Sequence, residues 1–185
     1  MTRLHRAFAL LAAALAVAAW RSEPARHVDE ISAPELADRI VGQDAGLRVF
    51  DLRSRQEFDQ LHVGGATHMI LDDLRQLRLP PSARIVLYAN DDDRAMQGGE
   101  LLRARGYHNV VILREGIYAW IAGVLEPRLP TDATPEERAT FDRAAQLSRF
   151  FGGMPRSGVS RSELASGDRR AFVRQAVAGI RRRGC

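Results

Sequence analysis

RIVLYANDDDRAMQGGELLRAR, running from Arg84 to Arg105, sets out a strand, a loop and a helix in direct succession. Ile85, Val86, Leu87 and Tyr88 are β-branched, apolar or aromatic and read as a buried strand, while Met96 to Arg105 predicts a helix. Between them lies a six-residue loop, Ala89-Asn90-Asp91-Asp92-Asp93-Arg94. A loop that passes from a parallel strand into a helix N-terminus aims several backbone N–H groups at one point, and with the helix dipole these favour an anion. The same field lowers a thiol pKa, so a reactive cysteine belongs at such a place. This chain has Ala89 first and three carboxylates after it.

The neighbouring segments carry a resemblance. Ile85-Val86-Leu87-Tyr88-Ala89 is followed by Gly99-Glu100-Leu101-Leu102-Arg103-Ala104-Arg105-Gly106-Tyr107, by Asn109-Val110-Val111-Ile112-Leu113, and by Glu115-Gly116-Ile117-Tyr118-Ala119-Trp120. Upstream stand Val49-Phe50-Asp51-Leu52-Arg53-Ser54-Arg55-Gln56-Glu57-Phe58 and His62-Val63-Gly64-Gly65-Ala66. In order and spacing these resemble the IVVYC, AAELLRARGY, NVVIL, GGIxAW, DxRxxxEF and HIPGA segments of the rhodanese (thiosulfate sulfurtransferase) family, with Gly64 where Pro is usual. The resemblance covers residues 27–126. It implies an α/β domain built on a five-stranded parallel sheet flanked by helices. By the same resemblance, Asp51, Arg53, Glu57 and His62 order the loops around the strand ends, and the family cysteine maps onto Ala89.

In a sulfurtransferase the loop cysteine takes the outer sulfur of thiosulfate as a persulfide and passes it to a thiophilic acceptor. Ala89 has no nucleophile, and Asp91, Asp92 and Asp93 would each repel an oxyanion by about 1 to 4 kcal/mol at ~4 Å, depending on solvation. Arg94 lies five positions after Ala89, as in the sulfurtransferase loop and one short of the Cys-x5-Arg phosphatases. The resemblance therefore carries over the fold and not the activity. The leading role for the Asp run is to cap the following helix, filling the anion position with a fixed charge. Oxygen ligation of Ca²⁺ or Mg²⁺ by residues 90–93 is a weaker alternative, since no EF-hand spacing accompanies it. An acidic loop that recognises a basic partner is a third. No cofactor is implied. His27, His68 and His108 have no spaced partners that would indicate a metal site.

The chain has 185 residues and a formal charge of +4, room for one domain plus appendages. All 27 basic residues are Arg, which points to coding bias rather than nucleic-acid binding. Arg3 and Arg6 precede an apolar stretch from Ala7 to Trp20, and Ala16-Val17-Ala18 offers a cleavage site. Because a bilayer span needs about 20 residues, residues 1–18 read as a signal peptide, the alternative being an uncleaved inner-membrane anchor reaching about residue 20. Export to a bacterial periplasm is expected. The single cysteine, Cys185, cannot form an internal disulfide. Close to Arg181, Arg182 and Arg183 its thiol is a candidate for redox chemistry or for a disulfide-linked dimer.

Elsewhere the pattern predicts a capped helix from Glu35 to Ile40 after Ser32, a strand from Leu47 to Leu52, and a short helix from Arg55 to Leu61. A strand follows from Ala66 to Ile70, then a helical turn from Leu71 to Leu77, a strand from Val110 to Leu113 and a helix from Gly116 to Ala122. After Pro130 everything reads as helix, giving a C-terminal extension over residues 131–185. Thr134-Pro135-Glu136-Glu137 opens a helix running to about Phe150, with Phe141, Ala144, Ala145 and Phe151 on its apolar side, and Ser160-Arg161-Ser162-Glu163 caps another. The last helix, Arg169 to Arg182, sets Phe172, Val173, Ala176, Val177 and Ile180 opposite a row of Arg. It fits either the domain's own apolar surface, an acidic partner or an anionic membrane surface. The chain thus reads as an exported rhodanese-like domain, inactive as a sulfurtransferase and used for binding or scaffolding. The competing reading is a sulfur or redox enzyme using Cys185 or a partner thiol.

Overall fold

The computed structural model describes residues 28–165, 172–174 and 176–178; the expected signal segment, His27, Cys185 and part of the final helix lie outside the described residues. Five parallel strands form the central sheet in the order β1-β5-β4-β2-β3. They are β1 (Asp29–Ile31), β2 (Leu47–Asp51), β3 (Thr67–His68), β4 (Arg84–Tyr88) and β5 (Val110–Leu113). β4 lies at the centre, with Val86 level with Val49 of β2 and Val111 of β5. Alternation along β4 divides the core into two layers. Val86 and Tyr88 face α1 (Ala33–Val41) and α5 (Gly116–Trp120), which supply Leu36, Ile117 and Trp120. Ile85, Leu87 and Ala89 face α3 (Leu71–Leu74) and α4 (Asp92–Ala104), which supply Leu74, Ala95 and Leu102. The short α2 (Arg55–Gln60) buries no residue completely and instead sets the loop after β2.

Close approach of α4 to the sheet explains a composition that is poor for a helix. A Cβ on Gly98 would lie 2.9 Å from Leu52, 3.0 Å from Leu87 and 3.1 Å from Leu74, all at methyl carbons. Glycine there costs the helix about 1 kcal/mol of propensity, and the tight layer offsets it with packing.

Several predicted boundaries are corrected. α4 starts at Asp92, four residues before Met96, so the six-residue loop shrinks to Ala89, Asn90 and Asp91. The strand expected from Ala66 to Ile70 contracts to two residues, and the turn expected to reach Leu77 ends at Leu74. α1 begins at Ala33, with Ser32 accepting from the Glu35 N–H. The helix after Gly116 passes into a π-helical turn, Ile121–Leu125, closed by Glu126 N–H donating to Ile121 O at 2.7 Å. That widened turn keeps Ile121, Val124 and Leu125 buried on one side.

The region after Pro130 is not all helix. β6 (Arg128–Pro130) and β7 (Arg156–Val159) form a separate two-stranded parallel sheet around α6 (Pro135–Phe150). α6 begins with the reciprocal Thr134–Glu137 capping box and buries Ala145, Leu147 and Ser148, so Leu147 rather than Phe141 anchors it. Ser148 donates to Leu125 O at 2.8 Å, fixing α6 on the π-helical turn. Arg161, opening α7 (Arg161–Ala165), reaches Asp132 and Glu137 and so closes this small unit. Among the described residues no helix is long and apolar enough to cross a membrane.

Candidate functional site at the strand ends

The carboxyl ends of β2 and β4 meet beside the loop that follows β4. Asp51 ends β2 opposite Tyr88 of β4. Its carboxylate accepts from Arg53 N–H at 2.9 Å and from Arg53 Nη2 at 2.6 Å, with both side chains almost fully buried. Arg53 also donates to Leu61 O at 2.5 Å and lies over the Tyr88 ring. A buried pair of this kind holds only when its remaining hydrogen bonds are made, and here they tie the end of β2 to the segment after α2. Burial opposes the Arg53 charge, but the Asp51 carboxylate outweighs it and holds the guanidinium above its ordinary pKa. Tyr88 Oη accepts the Val63 N–H at 3.0 Å. Burial, with Asp51 close by, drives its phenol far above the ordinary range, so it stays neutral.

Glu57 is the next link. Ser54 caps α2 by accepting from Glu57 N–H, and Glu57 Oε2 accepts from Ser54 N–H at 3.0 Å and Ser54 Oγ at 2.6 Å. Its other oxygen, Oε1, accepts from Asn90 Nδ2 at 2.5 Å. Burial tends to raise the Glu57 pKa, but the bonds from Ser54 and Asn90 overcome that and lower it. The carboxylate is therefore a fixed acceptor that ties α2 to the loop after β4.

That loop is short and self-bonded. Ala89 is 1% exposed, its methyl group packed in the core layer under α4, and its carbonyl accepts from Ile117 N–H at 3.1 Å. Gly116 makes that contact possible, since a Cβ there would stand 2.1 Å from Ala89 O, and its φ is +54°. Asp91 is the N-cap of α4, its Oδ1 accepting from Arg94 N–H at 3.0 Å. Asp92 and Asp93 lie in the first turn, where carboxylates complement the helix dipole.

Two shallow clefts adjoin the Glu57–Asn90 link. One, of about 340 Å³, runs past Ala89 between His68, Ile70, Arg55 and Arg94. The other, of about 310 Å³, lies between Gln60, Leu61 and Tyr118 on one side and Val173, Arg174 and Val177 on the other. Of the residues expected from sequence, Asp51, Arg53, Glu57 and the 89–94 segment come together here. His62 instead stacks on Phe58 at 4.1 Å and donates to Phe58 O at 2.9 Å, lining neither cleft. Cys185 lies outside the described residues. Ser54, Tyr88, His68 and the three C-terminal helix residues were not expected at the site; the Ser54-x-x-Glu57 capping signature was the one legible signal among them. Among the described residues no three His, Cys, Asp or Glu side chains group as a metal site.

Comparison with known proteins matches residues 32–123 to the rhodanese-like domain family. A solved rhodanese-like domain from an Anabaena protein is 28% identical, covering 51% of this chain and 73% of that one, with a TM-score of 0.45. Another structure from the same Anabaena protein is 32% identical over 41% of this chain and 91% of that one, with a TM-score of 0.39. A human single-domain sulfurtransferase is 22% identical over 51% of this chain and 96% of that one, with a TM-score of 0.44. No curated protein matches. The family match begins at the cap of α1 and ends in the π-helical turn, taking in four of the five sheet strands, and through residues 32–123 this chain belongs to the rhodanese-like domain family.

Proposed function

We propose that the chain is an exported rhodanese-like domain protein that binds or scaffolds and does not transfer sulfur. The observation that carries this reading is the state of the loop after β4. At the position where the family resemblance puts a cysteine, Ala89 turns a methyl group into the core, and the helix begins so early that Asp91 engages the Arg94 N–H. An anion at the helix N-terminus would meet the Asp91, Asp92 and Asp93 carboxylates and find the Arg94 N–H already taken. Neither cleft contains a thiol. The export half of the reading rests on Arg3, Arg6 and the apolar stretch behind them.

The purified full chain, incubated with thiosulfate and cyanide, is expected to form thiocyanate no faster than the uncatalysed mixture. Turnover by the chain would overturn the reading. If Cys185→Ser then abolished that turnover, the thiol at the chain end would be the sulfur carrier.

A further inference from the structure

The cleft between Gln60, Leu61 and Tyr118 has one wall that does not belong to the family domain. Val173, Arg174 and Val177, about fifty residues beyond the end of the matched domain on the chain, lie across from Arg53, Glu57 and Asn90. Residues 172–174 and 176–178 are helical. Phe172 and Val173 pack against the core layer that includes Trp120 and Ile117, and Ala176 is completely buried in it. Phe172 is also held under the guanidinium of Arg128 in β6, 4.3 Å from the ring centre. The small β6–β7 unit therefore carries the helix to the mouth of the strand-end site.

We propose that this C-terminal helix is an intramolecular lid, seated by Phe172 and Ala176 and closing the cleft bounded by Glu57, Gln60 and Asn90. The proposal rests on the reading of the strand ends as a binding site. Its seat is small: Ala176 is the one completely buried residue of the helix among those described, while Phe172, Val173 and Val177 are only partly buried. A contact of that size opens without unfolding the sheet, because among the described residues the helix gives the core layer beneath it Ala176 alone as a buried member. A partner segment reaches Glu57 and Asn90 from this side only after the helix has lifted.

Thiol labelling tests the lid without any ligand or sulfur chemistry. In full-length chain carrying Cys185→Ser, Gln60→Cys reports on the covered cleft and Arg55→Cys on the neighbouring one, which the helix does not line. Each reporter is combined with Ala176→Asp, which puts a carboxylate into the seat, or with the milder Phe172→Ala, and the maleimide reaction rate is followed. The lid predicts a rise of about tenfold or more at position 60 and less than about twofold at position 55 with either seat variant. Equal rates at position 60 with and without the seat variants would overturn it. A parallel rise at both positions would overturn it too, since the helix would then stabilise the whole domain instead of covering one cleft. Neither result bears on thiocyanate formation, so the lid and the functional reading fail separately.

Discussion

A carboxylate at the start of a helix changes what that helix end can hold. Asp91 does this for α4: it accepts from Arg94 N–H, and Asp92 and Asp93 add negative charge in the same turn. The polar sequence around Asn90 predicts loop up to Arg94, although Asp at a cap followed by acidic residues is itself a helix-start signal. That signal was legible as a capping role, but not where the helix would begin. Glu57 works at the same scale, joining Ser54 to Asn90. Its pKa is lowered in the folded chain from an ordinary 4.5, so it binds its proton more weakly folded than unfolded. The stability it contributes is therefore complete above about pH 4.5 and is lost as pH falls through the lowered folded value. Urea unfolding of the parent chain and of Glu57→Gln from about pH 6 to about pH 3 should show a stability difference that is constant at the upper end and shrinks at the lower. A difference that does not change with pH would mean that Glu57 acts through shape alone.

The turn from β5 into α5 decides how close two elements come. Glu115 and Gly116 both have left-handed backbone conformations, with φ of 58° and 54°. Family sequences of the GGIxAW type have glycine at both, and this chain keeps only the second. Gly116 cannot be replaced cheaply, because the clash of a Cβ with Ala89 O adds to the cost of about 1–2 kcal/mol for a left-handed L-residue. Gly116→Ala should lower unfolding free energy by about 2 kcal/mol or more, while Glu115→Gly, which relieves the conformation without a clash, should cost nothing or raise it. Denaturant titration of the two variants separates them; an unperturbed Gly116→Ala would show that α5 is free to move off the loop. The elements that sequence predicted well were those with a run of apolar positions, such as β4, or with a full capping signature, such as α6. β6 and β7 escaped because they are three and four residues long, lie on either side of α6, and owe their pairing to tertiary contact.

Across the whole molecule, the family domain supplies most of both core layers, and the C-terminal region adds Leu147 and Ala176 to one of them and lies over its edge. The amphipathic pattern of Phe172, Val173, Ala176 and Val177 was visible in sequence, and packing on the domain was one of the surfaces it fitted. Its seat beside Glu57 and Asn90 was not visible, because periodicity fixes which side of a helix is apolar and not which surface receives it. The β2 and β4 ends, the Asp51–Arg53 pair and the Glu57 link make a rigid frame, yet the loop that this frame presents is occupied by its own cap. Restoring a nucleophile tests that claim directly. In Ala89→Cys, with circular dichroism confirming the fold, thiocyanate formation from thiosulfate and cyanide should stay at the level of the parent chain, because the thiol would be buried behind an acidic helix start. Sustained turnover from that single substitution would contradict the account, showing that the loop still receives the anion and lacks only the sulfur.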